Sequence, residues 1–192
     1  MSNHLELDDD AKTLVGHLYI DWRRSIDLYK EDRLDQFARR TLIKSITTYF
    51  EGFSRSLRTS LLNLESANRL SFDKICVLND KKLDVSDNGV IEKKAAKYSS
   101  VGLLAVAFRC WCELSEISEH EIRQIFGHND WRKYKETISV RNRLTHPKPG
   151  DSFEVSDVEV ETALDAMQYM LDLTVRLANI HFSETSGTDA KQ

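Results

Sequence analysis

"RNRLTHPKPG", residues 141–150, contains both prolines of a 192-residue chain. Proline has no amide hydrogen to donate and pushes the residue before it out of helical geometry. Pro147 therefore predicts that a helix arriving from the N-terminal side stops at His146. The rest of the chain has no proline, and the whole has only seven glycines, too few turn formers for a sandwich or barrel of many short strands. The expected fold class is all-α.

Working outward from this stop, the segment before it reads as a helix capped by Asn129 or Asp130, with Tyr134, Ile138 and Leu144 on its buried side. After it, Ser156 and Glu159 have the S-x-x-E spacing of a capping box. They open a long C-terminal helix whose apolar line is Leu164, Met167, Leu171, Val175, Ala178 and Phe182. Residues 183–192 lack apolar anchors and read as a flexible tail. Upstream, residues 116–128 predict a short helix ending near Gly127, and residues 91–115 a core helix around "VGLLAVAF", a run too short to span a bilayer. Residues 71–90 include "LNDKKLDVSDNG" and read as the main loop. A long central helix is expected over 34–64 through Leu42, Ile46, Phe50, Phe53, Leu57, Leu61 and Leu64. A first helix is expected over 11–30 through Leu14, Leu18, Trp22, Ile26 and Tyr29. This gives one helical domain over residues 11–182, preceded by a polar segment, 1–10.

Composition narrows the function classes. With 41% hydrophobic residues and no eighteen-residue apolar run, the chain reads as globular, with neither a leader nor a membrane span. Cys76, Cys110 and Cys112 are an odd set without zinc-ligand spacing. They fit small buried side chains in a reducing, cytoplasmic setting. The net charge of −4 conceals a reversal: residues 132–148 hold Arg132, Lys133, Lys135, Arg141, Arg143 and Lys148 against Glu136 alone, +5 against −9 for the remainder. Such a strip can draw a polyanion to one place on an acidic body.

No histidine follows a glutamate at the E-x-x-H spacing of a helical di-iron protein. Neither a phosphate-binding glycine loop nor a nucleophile elbow is present. No cofactor and no metal is expected. Tyr19, Trp22 and Tyr29 read as core or dimer packing, and His17 and His120 as ordinary polar positions.

The remaining candidate is Arg141 with His146. Bare R-x-x-x-x-H spacing decides nothing, because Arg123 with His128 and Arg176 with His181 repeat it. Only the pair at 141 and 146 has asparagine after the arginine, proline after the histidine, and a helix end between. Uninterrupted helix would set the two side chains about 140° apart; a stop at His146 relaxes that constraint.

In "RNRLTHP" and its place before the last long helix, the chain resembles the HEPN superfamily, all-helical domains with an R-x(4 to 6)-H motif. The resemblance implies an up-and-down bundle with long central and C-terminal helices. It also implies a homodimer whose composite cleft cuts RNA without a metal, in toxin or defence biology. On that reading His146 moves the proton of the ribose 2′-hydroxyl or of the leaving oxygen. Arg141 grips the phosphate with its planar fork, and the product carries a 2′,3′-cyclic phosphate. Asn142 orients the phosphate or the histidine, Glu51 in "YFEGF" is a further polar residue of the site, and Arg143, Lys148, Lys133, Lys135 and Arg132 bind neighbouring phosphates of the RNA. The partners implied are RNA, a second copy, and an antitoxin or activating protein. Two features depart from family patterns: Val140 stands where a lysine often precedes the arginine, and Lys148 where some members place a tyrosine.

Two other readings fit the same residues. In one the chain is a catalytically silent helical module whose basic strip binds RNA or protein. In the other Arg141 pairs with an acid, Asn142 caps a backbone and His146 is a helix-terminal residue favoured by the helix dipole.

Overall fold

In a computed structural model of the chain, residues 9–85, 88 and 91–186 are described. The described residues form seven α-helices: α1 (Asp9–Glu31), α2 (Gln36–Asn63), α3 (Phe72–Leu78), α4 (Ser100–Leu114), α5 (Glu119–Gly127), α6 (Asn129–Thr145) and α7 (Asp157–Ser186). A 3-10 turn, Glu65–Arg69, follows α2, and an antiparallel hairpin of β1 (Lys81–Val85) and β2 (Ile91–Ala95) lies between α3 and α4. The all-α reading holds, with the hairpin as its exception.

Helix α2 is the centre of the bundle, touching α1, α3, α4, α6 and α7. Asp35 starts it by accepting the Phe37 and Ala38 amides, each at 3.0 Å, satisfying donors that the first turn leaves free. Leu42, Ile46, Phe50, Phe53, Leu57 and Leu61 are all buried, so the expected apolar line of α2 is the core. Gly52 lets α1 come close: a Cβ there would lie 2.2 Å from Leu18 Cδ1. Phe50 meets Tyr134 of α6 edge to face with centroids 5.0 Å apart, a favourable aromatic geometry. Cys76, Cys110 and Cys112 are free thiols in the core. No described helix is long and apolar enough to cross a membrane.

Several boundaries differ from expectation for identifiable reasons. Residues 71–90 hold α3 and β1 as well as a turn, and 91–95 are strand where helix was expected. The alternation in "KKLDV" and "IEKKA" is carried mostly by charged residues, so no apolar face announces a strand. Helix α4 begins at Ser100, capped by Ser99, which accepts the Gly102 amide at 3.1 Å. Asp9 and Asp10, assigned to a polar lead-in, form the first turn of α1, where acids complement the dipole; residues 1–8 lie outside the described set. Helix α7 continues through Ser186, so 183–186 are not tail: no helix breaker precedes Gly187. Residues 187–192 lie outside the described set, as does the side chain of Phe182. The buried line of α7 is Val160, Ala163, Met167, Met170, Leu173 and Leu177, while Val175 is 59% exposed. Of the expected line Met167 is buried, Leu164, Leu171 and Ala178 are half-buried against the edge of the core, and Val175 faces solvent, so the line lies to one side of the true core face.

Burial raises the Cys110 and Cys112 thiols to about 11 and the Tyr169 phenol to about 12, and pushes the Tyr134 phenol up as well. Each folded-state pKa above its unfolded value means that the neutral form is preferred in the fold. This contribution is whole below pH 9, the unperturbed thiol value, and is lost as pH rises through 11 and 12. The urea midpoint should therefore fall steadily above about pH 9. A midpoint constant through pH 11 would show that these groups are not buried as described.

Candidate active site at the end of helix α6

Helix α6 brings the motif to the surface of the bundle. Its N-cap is His128, one residue before the expected Asn129 or Asp130: the imidazole Nδ1 accepts the Asp130 amide at 3.4 Å. Trp131, Tyr134, Ile138 and Leu144 bury the inner face as the sequence requires. The helix ends at Thr145, and His146 leaves helical geometry with φ −130° and ψ 64°, one residue before Pro147. The His146 amide still closes the last turn on the Asn142 carbonyl at 2.8 Å. Its ring is exposed and, among the described residues, takes no hydrogen bond.

Arg141 joins two helices. Its Nη2 donates to Glu51 Oε1 on α2 at 2.6 Å, and its Nη1 to Asn142 Oδ1 at 3.0 Å. Glu51, Arg141 and Asn142 are thus brought together across 90 residues of sequence. The pair is partly shielded, with the side chains 25% and 34% exposed for Arg141 and Glu51, so it is weakened by solvent less than a surface pair. Beneath it lies Tyr134, whose phenol is held protonated by burial first and by the Glu51 charge second, with Arg141 opposing.

The five residues read as phosphate binders divide. Arg143 is occupied: it donates to the carbonyls of Ser152 and Glu154, the latter at 3.0 Å, and to Glu159 Oε1 at 2.7 Å. Glu159 also completes the expected capping box, accepting the Ser156 amide at 2.9 Å. Lys133 lies between Asp130 at 2.8 Å and Asp165 at 2.9 Å, and those two carboxylates hold its ammonium above the usual lysine range. Arg132 sits 3.6 Å from Glu136 on the same helix. Lys135 and Lys148 are exposed, with ammonium groups that meet no carboxylate among the described residues. The +5 strip is therefore largely neutralised by acids from its own helix, from α2 and from α7, which a charge count along the sequence cannot show.

Arg39 carries no sequence signal, yet it shapes the ground beside the site. Its guanidinium is buried and donates to the Arg33 carbonyl at 2.6 Å, to the Val155 carbonyl at 2.8 Å, and to Asp157. Gln36 exchanges two further bonds with the Val155 backbone, at 2.8 and 3.2 Å. The segment between α6 and α7 is thus fixed to the start of α2 by residues more than a hundred positions away.

Among the described residues no group of three or more histidine, cysteine, aspartate or glutamate side chains could hold a metal ion. His17 is exposed, and His120 meets Gln124 at 3.1 Å. Trp22 is buried, while Tyr19 is 41% exposed and tilts against it with centroids 5.2 Å apart. In comparisons with family models, curated proteins and solved structures, nothing matches the chain.

Proposed function

We propose that the chain is a metal-independent endoribonuclease of HEPN type that cleaves RNA by attack of the ribose 2′-hydroxyl. The observation that carries this reading is a positioned arginine and an unencumbered histidine at one helix end: Arg141 is fixed by Glu51, and His146 is exposed with a ring that meets no partner among the described residues. In the transesterification the 2′-oxygen bonds to phosphorus as its proton leaves to a base. The 5′-oxygen departs with a proton from an acid, leaving a 2′,3′-cyclic phosphate. Imidazole can serve in either transfer near neutral pH. The guanidinium faces the charge that develops on the phosphoryl oxygens, and Glu51 holds it in one rotamer. Glu51 and Asn142 are positioning residues here, Lys148 and Lys135 contacts to flanking phosphates, and Arg143 a brace of the adjoining loop.

A homodimer completes the site in this reading, because each chain supplies one arginine and one histidine at this helix end. Support comes from Leu34, Phe37, Phe153 and Val158, exposed by 52% or more. The Gln36 to Val155 and Arg40 to Phe153 hydrogen bonds bring their neighbourhoods together at one end of the bundle. One observation favours a variant in which an antitoxin or activating partner controls the enzyme: Arg141 is already engaged on both terminal nitrogens. Toxin or defence biology follows from the resemblance alone.

The test is incubation of wild type and Arg141→Lys with mixed RNA in excess chelator, followed by identification of the new termini. Wild type should leave cyclic phosphate ends. Arg141→Lys, which keeps the charge and loses the fork, should slow cleavage by on the order of 10²-fold. Linear 3′-phosphates formed without a cyclic intermediate, or no cleavage by either protein under any condition of dimer or added lysate, would reject the reading.

A further inference from the structure

The hairpin carries a second group of cations that the candidate site does not use. Lys81 and Lys82 stand on β1, Lys93 and Lys94 on β2, and Lys97 just beyond it. Strand residues alternate faces, so Lys82, Asp84, Glu92 and Lys94 share one face and Lys81, Leu83, Ile91 and Lys93 the other. The register sets Lys82 opposite Lys94 and Asp84 opposite Glu92, like-charge pairs that weaken a hairpin. Lys94 answers both acids, pairing with Asp84 and lying 3.9 Å from Glu92. Lys81, Lys82 and Lys97 meet no carboxylate among the described residues. Beside them, Lys93 lies 4.7 Å over the ring of Phe72, which is half exposed, and Tyr98 is exposed. Lysines do guard the open edges of a short sheet, but that role requires neither ring.

The root of the hairpin fixes where this group stands. Ala96 donates to the Asp80 carbonyl at 2.8 Å, and Asp80 takes a left-handed φ of 55° to reverse the chain after α3. Arg58 of α2 holds that reversal, 2.9 Å from Asp80 Oδ1 and 3.2 Å from the Leu78 carbonyl. Arg58 lies seven residues beyond Glu51, about 10.5 Å along the helix and within about 20° of the same direction. The Arg141 to Glu51 pair and the hairpin root therefore share one face of α2. Between them on that face is Arg55, exposed and without a partner among the described residues.

We propose that this face is a track for single-stranded RNA, running from the Arg141 and His146 end over Arg55 to Lys81 and Lys97, which flank the hairpin root. Phosphates meet the unpaired cations, and unpaired bases stack on Phe72 and Tyr98. Bases in a duplex are not free to stack in this way, so the substrate is an unpaired segment longer than the scissile step. For its catalytic end the track rests on the ribonuclease reading; for its binding end it rests on the hairpin and α2.

The test uses the full chain carrying His146→Ala, so that bound RNA stays intact, with and without Arg55→Ala, Lys81→Ala and Lys97→Ala together. Binding of fluorescent single-stranded RNAs of about 4 and about 16 nucleotides is followed by anisotropy across salt. The three substitutions should weaken the longer RNA by about tenfold or more and flatten its log–log salt slope by about 2. Lys81→Arg with Lys97→Arg should retain affinity, separating lost charge from a damaged fold. Equal affinity of both proteins for the longer RNA overturns the track, and wild-type cleavage of that RNA in parallel would leave the nuclease reading standing without it. No binding by either protein and no cleavage by wild type overturns both. Tighter capture of an acidic polyglutamate peptide than of RNA overturns the track in favour of a protein partner.

Discussion

If the chain is the ribonuclease proposed above, His146→Ala should lower RNA cleavage by about 10²- to 10⁴-fold, the usual yield of a positioned proton-transfer group, while helix content and thermal midpoint stay where they are. The separation is expected because nothing in the fold leans on the imidazole. The ring is exposed and takes no hydrogen bond among the described residues, and the residue's bond to the Asn142 carbonyl comes from the backbone. His146→Gln provides the second arm, keeping polarity and bulk without a group that titrates near neutrality. Initial rates on labelled RNA in chelator, beside circular dichroism, decide the matter. Cleavage at wild-type rate by either variant would remove His146 from the chemistry.

Arg39→Ala should produce the opposite pattern, a loss of stability of about 3 kcal/mol with the motif residues untouched. For a chain of this size that corresponds to a fall of roughly 6–12 °C in thermal midpoint. The Coulomb share is small, since Asp157 is 74% exposed and solvent screens it. Most of the cost is in carbonyl groups of Arg33 and Val155 that would lose a charged donor inside a packed corner. Arg39→Lys should recover only part, because a single ammonium cannot reach three acceptors in three directions. A midpoint within 2 °C of wild type, a shift worth at most about 1 kcal/mol for this size, would show that water replaces most of what the guanidinium supplies.

Much of the bundle was legible because its signals are local. The 3.6-residue apolar line of α2, the proline stop after α6 and the Ser156 to Glu159 box each act within a turn or two, and each stands as read. The hairpin was illegible because its alternating residues are mostly charged, and α7 was misphased because its apolar residues occupy more than one face. At the candidate site, Glu51 was singled out from a five-residue string, and its bond to Arg141 is found in the structure. Arg39 could not be found that way, since its principal partners lie 116 and 118 positions away. The charge strip misled for the same reason: Lys133 and Arg143 are matched by Asp165 and Glu159, residues that only folding brings near.

The segment from Pro147 to Ser156 is gripped at its far end by two guanidinium groups, Arg143 from the helix before it and Arg39 from the centre of the bundle. At its near end, Asp151 accepts the Lys148 amide at 2.8 Å and returns its own amide to the Lys148 carbonyl at 3.0 Å. A connection held at both ends has surrendered most of its conformational entropy before any ligand arrives. Ordering it on encounter then subtracts little from affinity, and heat-capacity changes on binding should reflect surface contact rather than coupled folding.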